Sequence, residues 1–134
     1  MNVEEKYTEL YQTLLKEHKE VFEKQDVEEL SKFMDLICKA DRIFLMGVGR
    51  EGISTRGFAM RLMHLGKETH WIWDDTTPGM HPGDLFIATN GSGAIGHITY
   101  VVEQAKKAGN ASKTNTQQAQ KGQRTRGPQK LKFT

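Results

Sequence analysis

The chain has 134 residues, 37% hydrophobic and 27% charged, which bounds it to one domain with a modest core. No apolar run approaches the roughly 20 residues of a membrane span. Nineteen basic and 17 acidic side chains give a net charge of +2. The charge is uneven. From Asn110 onward the chain carries six basic residues and no acid, so Met1–Gly109 is mildly acidic. Cys38 is the single cysteine, which excludes an internal disulfide; it is expected as a small buried hydrophobe. The polar, acidic opening "MNVEEKYTEL" reads as neither a signal nor a transit peptide, so the cytoplasm is the expected location and no membrane partner is expected.

Tyr7, Leu10, Tyr11, Leu14, Leu15, His18, Val21 and Phe22 recur at steps of three and four, which predicts a helix over 3–24 with one apolar stripe. Such a stripe seeks another helix, in this chain or in a second copy. Asp26 followed by Glu29 forms a capping box and starts a second helix over 26–39, with Val27, Leu30, Phe33, Met34 and Ile37 inward. "ADRIFLMGVG" predicts a buried parallel strand. "ISTRGFAMRLMHLG" predicts a helix with Phe58, Leu62 and Leu65 inward and Gly66 as its stop. Met46, Met60 and Met63 are expected in the core, and His64 in the interior or at an interface. "KETHWIWDD" is a second strand, with Trp71 and Trp73 on one side of it. "TTPGMHPGD" is a loop that includes His81. "DLFIAT" is a third strand, and Ile98, Val101, Val102 and Ala105 line one face of a last helix that Gly109 ends. Alternating strands and helices imply βαβ units and a parallel sheet. Residues 110–134 lose all periodicity and read as a basic, disordered tail. No fourth strand is evident, so "LFIA" is expected as an unpaired apolar edge that invites another chain.

Two stretches carry the chemistry. "LMGVGREG" (Leu45–Gly52) and "TNGSGAIG" (Thr89–Gly96) each leave the C-terminal end of a parallel strand and open a helix. Ligands of open α/β sheets bind at that edge. Glycines let a ligand approach the backbone, and helix N-terminal N–H groups favour an anion such as phosphate. Gly47, Gly49, Arg50, Asn90, Gly91, Ser92 and Gly93 are the candidate binding residues. "GVGREG" misses the dinucleotide fingerprint by one position, and no Gly-Lys-Ser/Thr P-loop is present. The five histidines show no ligand spacing, so no metal is expected, and no cofactor is required.

"GVGREGISTRGFAMRLMHLG" followed by "DDTTPGMHPGDLFIATNGSG" resembles the sugar isomerase (SIS) domain, and within it the 6-phospho-3-hexuloisomerase branch, over about Leu30 to Gly109. The resemblance implies a doubly wound, flavodoxin-like parallel sheet of the SIS type, preceded by two helices and incomplete after the third strand-helix unit. It implies a sugar phosphate as small-molecule ligand, a dimer or tetramer, and movement of a carbonyl between neighbouring carbons through an enediol. The first region, 1–109, would then be a partial phosphosugar-binding domain. Several positions depart from the family pattern. Glu51 replaces a loop serine, Asn90 replaces the first serine of the phosphate loop, and Ala94 and Ile95 replace its glutamate and threonine; Ser92 and Gly93 remain. A carboxylate at Glu51 repels a phosphodianion unless Arg50 or Arg56 pairs with it.

Enediol chemistry needs a general base. His97, at the start of the last helix, and Glu51 are the candidates; the preferred reading of His97 is a cap of the phosphate loop or an anion contact that moves no protons. The basic tail lacks interleaved aromatics, so nucleic acid is not expected as a partner. The two functional readings are a ketose-phosphate isomerase and a phosphosugar-binding or regulatory module that does not catalyse.

Overall fold

The computed structural model describes residues 2–90, 96–107, 109, 111–116 and 131–133, with the backbone alone for 90, 97–99, 111–116 and 131–133. The elements are α1 (Val3–Glu23), α2 (Val27–Lys39), β1 (Arg42–Gly47), α3 (Gly49–His64), β2 (Glu68–Trp71), β3 (Leu85–Asn90), α4 (Gly96–Lys107), β4 (Ala111–Thr116) and β5 (Leu131–Phe133). They build one sheet in the order β2-β1-β3-β4-β5. The first four strands run parallel and β5 is antiparallel to β4. This is the doubly wound α/β arrangement expected from the alternation of strands and helices, with two helices leading into it.

β1 and β3 lie at the centre because their sequences are apolar at every position. Alternate side chains of a strand point to opposite faces. Ile43, Leu45, Leu85 and Ile87 face one side and pack with Leu62, Trp71, Phe33, Leu36 and Ile37, which belong to or adjoin α2 and α3. Phe44, Met46, Phe86 and Ala88 face the other and pack with Ala105, Val101 and Val102 of α4. Helices thus cover both faces. Fully burying each such aliphatic or aromatic side chain contributes about 1.5–3 kcal/mol, so these two clusters dominate the stability.

Helix starts follow their caps. Asn2 accepts from the Glu4 N–H to open α1, and Asp26 accepts from the Glu28 and Glu29 N–H groups to open α2. Their apolar faces are less buried than the periodicity suggests. α1 has no buried residue, and Tyr7, Leu10, Leu15 and Phe22 are exposed. On α2 the inward residues are Phe33, Leu36 and Ile37, while Val27, Leu30 and Met34 are exposed. Leu62 of α3 is buried as expected, but Phe58 and Leu65 are exposed, as are Met60, Met63 and His64. A helix against a flat sheet buries a narrow line of side chains, and three- and four-residue spacing alone does not say which flank of the stripe that line follows. Cys38 is exposed rather than buried. β2 ends at Trp71, so Trp73 lies beyond the strand and is exposed, whereas Trp71 packs in the core.

The reading of everything after Gly109 as disordered is corrected at two places. Ala111–Thr116 pairs in parallel with β3 from Leu85↔Ala111 to Asn90↔Thr116, and Leu131–Phe133 pairs with β4. "LFIA" is therefore an inner strand, not an edge. A ladder satisfies backbone N–H and C=O groups whatever the side chains are, and an apolar edge demands such a partner. The remainder of 110–134 lies outside the described residues.

The N-terminal ends of the strands are fastened by one ion pair. The buried Asp84 carboxylate accepts from Arg42 Nε at 3.0 Å, from Arg42 Nη2 at 2.6 Å and from the His81 N–H at 2.7 Å. Arg42 Nη2 also donates to the Gly79 carbonyl at 3.1 Å, which ties the loop before β3 to the start of β1. Burial opposes ionisation of Asp84, but the Arg42 hydrogen bonds, the His81 N–H and the Arg42 charge outweigh it and hold its carboxyl below the usual range. No helix among the described residues is long and apolar enough to cross a membrane.

Because the folded pKa of Asp84 is depressed, the stability it contributes is full above its unfolded value of about 3.9 and is lost as pH falls through the lower folded value. The melting temperature of wild type should therefore fall in that acid window, and Asp84→Asn should flatten the fall while lowering stability at neutral pH. Thermal melts between pH 2 and 7 check this. Deleting residues 110–134 should uncover β3. The expected result is a melting temperature lower by at least ~4–8 °C, about 1 kcal/mol for a small domain, with faster amide exchange at Phe86–Ala88.

Candidate functional site

The site lies where two parallel strands end side by side. Gly47, the last residue of β1, is the register partner of Thr89 in β3. The two glycine loops therefore leave the sheet at the same level. After β1 the chain passes to α3 on one face, and after β3 it passes to α4 on the other. That divergence is the topological switch point at which open α/β sheets hold ligands.

The first loop is built around close backbone packing. Gly47 is buried, and a Cβ placed on it would collide with the Thr89 hydroxyl and stand 3.0 Å from the Gly52 Cα. A Cβ on Gly52 would stand 2.7 Å from the Gly47 carbonyl oxygen. The two glycines thus seat the first turn of α3 directly on the end of β1. Gly49 has φ +60, the left-handed region where a side chain is strained, with open space around it. The N-cap is Val48, which gives no side-chain cap bond. The N–H groups and dipole at the start of α3 favour an anion.

Arg50 is exposed at this edge and Glu51 half-buried. Arg56 forms an ion pair with Asp74 at 3.5 Å and lies 5.1 Å over the Trp71 ring, so it is engaged toward β2. In the second loop, Asn90 is the last residue of β3, opposite Thr116 of β4. Gly91, Ser92 and Gly93 lie outside the described residues. His97 is the second residue of α4, as the sequence suggests, and its side chain lies outside the described ones. The structure thus brings the first loop, Thr89 and the start of the second loop together. His64 and His81 are exposed on α3 and in the loop before β3, respectively.

Two hydroxyls at the site were not legible in the sequence. Thr55 is buried in α3, and its Oγ1 is 2.7 Å from both the Glu51 carbonyl oxygen and Thr89 Oγ1. Thirty-four residues separate the two threonines, and only the parallel pairing of β1 and β3 makes them neighbours.

The fold is that of the sugar isomerase domain. A solved sugar isomerase domain of an RpiR transcription factor from Sphaerobacter thermophilus superposes with a TM-score of 0.67, covering 81% of this chain and 64% of that one, at 16% identity. In sequence the chain is similar to proteins named 3-hexulose-6-phosphate isomerase. It is 43% identical over 82 residues to the enzyme of that name from Methanocaldococcus jannaschii, covering 61% of this chain and 46% of the relative. A Methanococcus jannaschii crystal structure, described as inferring a molecular function of 3-hexulose-6-phosphate isomerase, matches at 37% identity and a TM-score of 0.66, covering 70% of this chain and 53% of that one. The chain spans about half the length of the curated relatives it matches. No family model matches.

Proposed function

We propose that the chain binds a hexulose phosphate across the two glycine loops and belongs to a protein that shifts its carbonyl between neighbouring carbons. The observation that carries this reading is the register of Gly47 with Thr89, which sets both loops at one edge of the sheet. The similarity to named isomerases supports it over the non-catalytic module. In this reading the first turn of α3 and the second loop, with Asn90, Gly91, Ser92 and Gly93, hold the ester, and Arg50 supplies positive charge. The reaction removes a proton from the carbon beside the carbonyl, forms an enediol, and returns a proton to the former carbonyl carbon. His97 and Glu51 are the proposed bases. No metal or other cofactor takes part.

We also propose a homo-oligomer, with a second copy covering α1. Its exposed apolar stripe does not stabilise an isolated helix of this length. Sedimentation at micromolar concentration should give a dimer or larger, and Leu10→Glu with Leu14→Glu should shift it to monomer.

The functional test is turnover of fructose 6-phosphate to the 3-hexulose, measured beside binding by calorimetry. Saturable binding of the phosphorylated sugar, with the free sugar at least about tenfold weaker, is expected because hydrogen bonds to charged oxygens contribute about 1.5–3 kcal/mol. Glu51→Ser should tighten the ester by removing a like charge. Tighter binding with turnover lost would make Glu51 the base; weaker binding would make it a ligand contact.

A further inference from the structure

We infer that Thr55 and Thr89 are positioning residues, whose hydroxyls latch the two ligand loops at a fixed separation. The inference rests on the phosphosugar reading of those loops. Thr55, 4% exposed, stands at the second turn of α3. A hydroxyl has one proton to donate. Thr55 donates to the carbonyl of Glu51, one helical turn back, so Thr89 donates to Thr55. The chain of bonds runs from Thr89 through Thr55 to Glu51. It joins the end of β3, just before the second loop, to the first turn of α3. The Met46 carbonyl, 3.4 Å from Thr89 Oγ1, is a poorer acceptor at that distance.

The latch also changes the meaning of Gly47. A Cβ there would occupy the place of the Thr89 hydroxyl. The glycine therefore makes room for the latch as well as for any ligand. The two hydroxyls join the end of β3 to the first turn of α3, so they act on a ligand through the backbone they hold. A ligand that bridges two loops depends on their separation, whereas a small anion seated on one loop does not.

That difference gives the test. Thr55→Val, Thr89→Val, the double variant, Thr55→Ser and Thr89→Ser are compared for binding of fructose 6-phosphate and of inorganic phosphate, and for amide exchange without ligand. Each valine variant should weaken the sugar phosphate by about tenfold, as expected for a buried hydroxyl left without its partner, and weaken inorganic phosphate far less. The double variant should lose no more than either single one, because the residues act as a unit. Both serine variants should restore binding. Amide exchange should rise at Met46–Gly52 and Ala88–Asn90 in the valine variants only. Unchanged exchange there, or an equal loss for both ligands, overturns the latch. If wild type does not bind fructose 6-phosphate, the phosphosugar reading falls. The exchange data then decide the latch alone: a rise confined to the valine variants upholds it, and none overturns it.

Discussion

The parallel pairing of β1 with β3 is the constraint on which the rest of the molecule depends. It places Gly47 level with Thr89 and so fixes where both loops begin. The pairing is enforced by burial. Phe44 and Phe86 are register partners on one face, and Leu45 and Ile87 on the other. A slip by one residue would exchange the two faces and leave neither helix layer with its complement. The site therefore inherits its geometry from the core.

The two ends of these strands do different work. At the N-terminal end, Arg42 and Asp84 are paired, hydrogen-bonded and stacked into the protein, with Arg42 lying 5.1 Å from the centre of the Phe44 ring. Arg42 Nε and Nη2 and the His81 N–H are all engaged there. At the C-terminal end, side chains withdraw. Gly47 and Gly52 let helix and strand touch through their backbones, Val48 offers no cap, and Arg50 is exposed. An exposed arginine beside close-packed glycine backbone suits a ligand that brings its own negative charge. The Thr55–Thr89 hydrogen bond ties helix and strand together at this end.

Much of this was legible in the sequence. The apolar runs around Phe44 and Phe86, the capping oxygens of Asp26 and the glycines after each strand have local causes, and they appear where local chemistry puts them. Three kinds of feature were not legible. Which residues of a helical stripe are buried depends on the angle at which α2 and α3 meet the sheet, so Met34, Phe58 and Met60 are exposed although their spacing points inward. Ala111–Thr116 has no apolar pattern and becomes a strand because β3 needs a neighbour, although its threonines suit a strand. The Thr55–Thr89 and Arg42–Asp84 contacts join residues far apart in the chain, and no local pattern announces them.

The most direct measurement is a titration of isotopically labelled protein with fructose 6-phosphate, followed through backbone amide resonances. Saturable shifts should appear at Gly49–Gly52 and from Thr89 to His97, while Arg42, Glu68 and Asp84 at the far end of the same strands stay still. Shifts centred on that far end, or none at either loop up to millimolar ligand, would contradict a phosphosugar site between β1 and β3.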